Sequence, residues 1–68
     1  MREYHALLSR PESLARVQSA HRAIERAGGF IEIRNTTTAG LMLVVLRLPP
    51  GRTPDQFIAG LPFYLQGG

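Results

Sequence analysis

The spacing of apolar residues changes repeatedly along this chain, and each change of period predicts an element. "EYHALL", Glu3 to Leu8, is a short apolar-rich run stopped by Ser9, Arg10 and Pro11, and it predicts a first strand. From Ser9 to Gly29 the period becomes helical. At about 100° per residue Leu14, Val17, Ala20, His21, Ile24 and Ala27 share one side, with Gln18, Ser19, Arg22 and Arg26 opposite. Ser9 and Glu12 stand in the S-x-x-E spacing of a capping box, and Pro11 falls in the first turn, where its missing N–H costs nothing. Gly28 and Gly29 supply the left-handed residue that ends helices, with Arg26 complementing the dipole in the last turn.

"FIEIRNTTT", Phe30 to Thr38, alternates as a half-buried strand does, with Ile31 and Ile33 on one face and Glu32 and Arg34 on the other. Ala39 and Gly40 turn the chain into "LMLVVLRL", Leu41 to Leu48. This strand is apolar on both faces: Met42, Val44, Leu46 and Leu48 point one way, and Leu41, Leu43 and Val45 point the other beside Arg47. "PPG" ends it. Thr53-Pro54-Asp55-Gln56 then begins a second capped helix, carrying Phe57, Ile58 and Leu61 and limited by Pro62 to about two turns. Residues 62–68 are left as a short last strand or a tail. The order strand, helix, strand, strand, helix, with a last strand optional, predicts a single α+β domain over 1–68, an antiparallel sheet with helices on one face.

Size and charge narrow the reading. A chain of 68 residues buries only about 60% of the surface its unfolded form exposes, so oligomerisation is an expected source of stability. The second apolar face of the central strand points the same way. Phe30, Leu41, Leu43 and Val45 would form an exposed patch in a two-layer monomer, which predicts a homodimer or burial against a larger partner. The net charge of +3 comes from eight arginines and no lysine against five acids. The arginines are spread along the whole chain, which fits base composition better than a selected nucleic-acid patch. Cysteine is absent, removing disulfides, thiolate metal sites and cysteine nucleophiles. The longest apolar run, Leu41 to Leu46, is far below the ~20 residues of a membrane span, and with no leader pattern the chain reads as soluble and cytoplasmic.

"RPESLARVQSAHRAIERAGGFIEIRNTTTAGLMLVVL" resembles the ACT domain, a ferredoxin-like βαββα(β) regulatory module. Arg10-Pro11, Leu14-Ala15-Arg16-Val17, Ala27-Gly28, Ile31-Glu32 and the run from Leu41 occupy the places of the family's pattern. The resemblance implies a domain that pairs through its sheet and helices and binds an amino acid at the turn between strand one and helix one. The residues it points to are Ser9, Arg10, Glu12 and Ser13, facing a partner's second strand near Ile33 and Asn35. Ser9 stands where the family has aspartate, and Glu12 where it has the glycine that lets a ligand approach. A side chain at that position obstructs the approach, and a carboxylate there repels an incoming carboxylate. "IERAGGFIEI" is also similar to the small phycobilisome linker domains, and Gly67-Gly68 to the ends of ubiquitin-like sulfur carriers, whose folds open with a hairpin instead.

Candidate chemistry is sparse. His21 reads as a boundary histidine with a carboxylate or backbone partner, and a metal site shared with His5 lacks further ligands at a useful spacing. Glu25 is expected to pair with Arg22, and Glu32 with Arg47 across strands. No nucleophile elbow or phosphate loop is present. The sequence therefore predicts a non-enzymatic regulatory or assembly domain without cofactor or metal. It would pair with itself or serve as the small subunit of a larger enzyme, with small-molecule binding at the first turn as an addition. The alternative is an arginine-using module for nucleic acid or an acidic protein, with Arg16, Arg22 and Arg26 as its basic face.

Overall fold

The alternation of buried and open positions along Arg2–Leu8 (β1) is that of a strand with one covered face: Tyr4, Ala6 and Leu8 are buried, and Glu3, His5 and Leu7 lie opposite. The computed structural model describes residues 1–67. Gly68, half of the terminal glycine pair, lies outside them. After β1 come the helices Pro11–Ser19 (α1) and His21–Arg26 (α2), then Phe30–Asn35 (β2), Met42–Leu48 (β3), a single 3-10 turn over Pro54–Gln56, and Tyr64–Leu65 (β4). The strands form one four-stranded sheet in the order β2-β3-β1-β4, with every neighbouring pair antiparallel. β1 and β2 thus run parallel to each other, with β3 between them and the helices as the crossover. The result is a small α+β protein whose antiparallel sheet carries one bent helix. Among the described residues no helix is long and apolar enough to cross a membrane.

The core lies between the helices and the face formed by Tyr4, Ala6, Leu8, Val44, Leu46 and Leu48. Val17 and Ile24, two turns apart, are fully buried against it, and Leu14, Ile31 and Ile33 pack at its margin. Ile58 and Phe57 close it from the segment after β3.

The continuous helix expected from Ser9 to Gly29 is broken. Ser19 Oγ donates to the Ala15 carbonyl at 2.9 Å, a back-bond that bends helices. The Ala20 N–H is shared between the carbonyls of Arg16 and Val17, at 3.2 and 3.1 Å, and its ψ is −5°. Ile24 N–H still reaches the Ala20 carbonyl, so the axis turns without ending. The helix end is as expected: the Gly28 N–H bonds the Glu25 carbonyl at 3.0 Å, and the Gly29 N–H bonds that of Ile24 at 2.9 Å. Gly28 has φ +86°, which completes a Schellman motif. Gly29 answers a different need. A Cβ there would stand 2.7 Å from the Arg47 carbonyl oxygen and 2.9 Å from Ile24 Cγ2.

The other differences are local. The N-cap of α1 is Arg10, in extended conformation with no side-chain cap bond, so the Ser9–Glu12 capping box does not form. Thr53 likewise gives no cap bond, and the second helix is reduced to the 3-10 turn. The Ile58 N–H bonds the Pro54 carbonyl at 2.8 Å, and this single turn sets Pro54 and Ile58 on one side, where both are buried. β2 ends at Asn35, not Thr38. Thr36 Oγ1 bonds the Leu41 carbonyl at 2.8 Å and accepts the Thr38 N–H at 3.1 Å, which folds the segment into a turn. Leu41 belongs to that turn, and β3 begins at Met42. The leftover tail supplies β4, whose two residues pair with Tyr4 and His5.

Candidate functional site

The turn between β1 and α1 is an exposed entry to the helix. Ser9, Arg10 and Glu12 are exposed and Ser13 is half-buried, and the Arg10 carbonyl receives the N–H groups of Ser13 and Leu14 at 3.1 and 3.2 Å. Glu12 sits in the first turn, where its charge suits the helix dipole. Asn35 ends β2 at the same end of the sheet, since both Leu8 and Asn35 pair with Met42 of the intervening β3. Ile33, two residues before Asn35 and on the same face of β2, lines a groove beneath the helix with Val17, Gln18, His21 and Ile31. A second groove lies between Ala15, Ser19 and Ala23 of the helix and Gln56–Ile58. Two more lie along the sheet, one by Phe30, Glu32 and Arg47, the other by Met1, Glu3 and Gln66. None of these four includes residues 9–13, so the expected ligand residues share a sheet end but no cavity among them.

The three arginines read as one basic face, Arg16, Arg22 and Arg26, are all exposed. Arg16 Nη2 donates to the Ala59 carbonyl and ties α1 to the loop after the 3-10 turn. Arg22 and Arg26 stay exposed on α2. His21 Nε2 stands 3.5 Å from Glu25 Oε1, so Glu25 takes the histidine one turn away rather than Arg22.

The face of the sheet away from the helices carries charged, apolar and aromatic side chains in three rows. Cross-strand pairing sets Phe30, Arg47 and Glu3 in one row, Glu32, Val45, His5 and Tyr64 in the next, and Arg34, Leu43 and Leu7 in the third. Of the expected interface residues, Phe30 is 62% exposed, Leu43 is half-buried and Val45 is 3% exposed, shielded by its neighbours though no helix covers it. Leu7 and Tyr64, each 49% exposed, extend the apolar surface. The sequence reading missed them, although period-two alternation in β1 places Leu7 beside His5 and Glu3 on this face.

Ion pairs lace the same surface. Glu3 Oε2 lies 2.8 Å from His5 Nε2, and Glu3 Oε1 accepts from Arg47 Nε at 2.9 Å. Arg34 forks onto Glu32 at 2.6 and 3.1 Å, displacing the expected Glu32–Arg47 pair. The hydrogen bond from His5, then that from Arg47, holds the Glu3 carboxyl below its ordinary value, and the Arg34 fork does the same for Glu32. The His5 ring meets Tyr64 edge-on at 6.1 Å. His5 and His21 lie on opposite sides of the molecule, and among the described residues no three histidine, cysteine or acidic side chains gather as metal ligands. The face thus has an apolar centre with exposed rings at its margin and charges already neutralised in pairs. No family model, curated protein or solved structure matches the chain.

Proposed function

We propose that this chain is a non-enzymatic assembly or regulatory domain of ACT-like, ferredoxin-like form, acting as a homodimer or as the small subunit of a larger enzyme. The strand order β2-β3-β1-β4 with a helical crossover between β1 and β2 is compatible with that form, the second helix being shortened to one turn. The observation that carries the proposal is the sheet face without a covering layer, where Phe30, Leu7 and Tyr64 stand exposed around Val45. A layer that covers such a face removes apolar surface from water, and a short chain gains most from it. Three acids, Glu3, Glu25 and Glu32, are occupied by histidine or arginine partners, which favours contact over acid–base work.

The weight falls on assembly rather than on amino-acid sensing, because Glu12 occupies the place through which a ligand carboxylate would approach. Sedimentation of the purified chain, alone and after affinity purification from its native host, tests the reading. A dimer, or a stoichiometric complex with one larger subunit, supports it. A monomer at all micromolar concentrations with no co-purifying subunit overturns it.

A further inference from the structure

The uncovered sheet face is close to self-complementary in charge. It holds Arg34 and Arg47 with Glu3 and Glu32, which cancel; the remaining six arginines and three acids, the whole of the +3, lie elsewhere. Two like-charged chains therefore repel least when they meet through this face. The molecule measures 33 × 26 × 18 Å, the slab that two stacked layers give. Its broad side exceeds the roughly 600 Å2 per copy at the low end of specific interfaces.

We propose that a second copy of the chain covers this face about a twofold axis that runs along the strands between β1 and β3. The inference rests on the assembly reading above and commits it to one surface and one partner. Such an axis exchanges β1 with β3 and β2 with β4, so every row of the face meets its own reversed image. Arg47 then opposes Glu3 of the second copy, Leu43 opposes Leu7, Val45 opposes His5, and Glu32 opposes the Tyr64 hydroxyl. Three of these four oppositions join unlike charges, apolar side chains, or a carboxylate and a donor, and in the fourth the His5 ring, already bonded to Glu3, lies over Val45. A twofold axis across the strands does the reverse. It sets Glu32 against Glu32 of the second copy and leaves Arg47 and Glu3 against leucines, an arrangement in which like charge and unpaired charge both cost affinity. Twist opens an angle of about 30° between aligned sheets, which keeps the central row in contact and lets the corners at Phe30 and Arg34 diverge.

The same residues pair within each chain, so the test must separate the two kinds of contact. Arg47→Glu makes the Glu3–Arg47 site wholly acidic, and Glu3→Arg makes it wholly basic. Each variant alone should dissociate at least about tenfold more readily than the wild type, because a homodimer then juxtaposes like charges. An equimolar mixture should recover dimers that contain one chain of each kind, counted by native mass spectrometry, although neither chain regains its internal pair. Should either variant fail to fold, Leu7→Arg at an exposed position is expected to give the same loss of self-association by sedimentation. A wild-type dimer unaffected by these changes, or a mixture that forms no mixed dimers from folded chains, overturns this surface and leaves the assembly reading standing. A monomeric wild type that still binds a larger subunit overturns the second copy as partner. A monomer with no subunit ends both.

Discussion

Replacing Gly29 with alanine isolates one close approach from the general effects of glycine. Gly29 has negative φ, so alanine meets no left-handed strain there. By itself, the loss of unfolded-state freedom would then stabilise the protein by about 0.4–1 kcal/mol. The added Cβ, however, would stand 2.7 Å from the Arg47 carbonyl oxygen, 2.9 Å from Ile24 Cγ2 and 3.1 Å from Leu48 Cδ2. The first distance is roughly 0.6 Å inside an ordinary carbon–oxygen contact. The oxygen belongs to the backbone of β3, which is paired on both sides and cannot withdraw alone. Overpacking of this kind costs about 1–3 kcal/mol, which leaves a net loss near 1.5 kcal/mol after the entropic gain. For a domain of this length that lowers Tm by about 6–12 °C. Thermal denaturation followed by circular dichroism, at one fixed protein concentration, measures it. An unchanged or raised Tm would refute the packing argument. Asparagine separates the paired glycines further: Gly28→Asn should be mild, because asparagine tolerates positive φ, and Gly29→Asn severe.

Leu46 is fully buried, and Leu46→Ala should cost about 2–5 kcal/mol in denaturant unfolding, whereas Leu65→Ala, at an exposed edge, should stay within about 0.5 kcal/mol. Equal effects would place the core wrongly. The carboxyls of Glu3 and Glu32 titrate below the ordinary glutamate value in the folded chain, so their contribution to stability is present above that ordinary value and is lost as pH falls through the lower folded one. Glu3→Gln should therefore flatten the acid limb of a stability–pH curve, and an unchanged limb would deny the Glu3–His5–Arg47 cluster any role in stability. On the assembly reading, a panel of amino acids at millimolar concentration should leave Tm where it is. Stabilisation by any one of them would restore ligand sensing.

What the sequence made legible was what depends on period and on local chain chemistry. Ile31 and Ile33 against Glu32 and Arg34 identified the covered face of β2, and the two apolar faces of β3 anticipated a central strand with an open side. Gly28-Gly29 located the helix end, but the two glycines look alike in sequence, and only the proximity of Arg47 and Ile24 distinguishes the second. The break at Ala20 depends on which carbonyl one serine hydroxyl takes, a choice with no periodic signature. Cross-strand pairing makes Arg47 the expected partner of Glu32 from the sequence. Once β1 lies on the other side of β3, Glu3 is directly opposite and Glu32 turns to Arg34. The contact from Arg16 to Ala59 joins positions 43 residues apart, and no spacing rule announces it.

The position of β1 has a consequence for the order in which the molecule comes together. Both its neighbours are distant in sequence: Leu8 pairs with Met42, Arg2 with Leu48, and Tyr4 with Leu65. The hairpin of β2 and β3 closes a short turn at Thr36–Leu41 and bears a far smaller loop entropy. Refolding should thus begin from that hairpin, with substitutions at Ile33 or Val44 slowing refolding and those at Tyr4 or Ala6 mainly hastening unfolding. Strand β1 then docks on a hairpin already formed, and until it does β3 keeps an open edge and β4 has no strand to pair with.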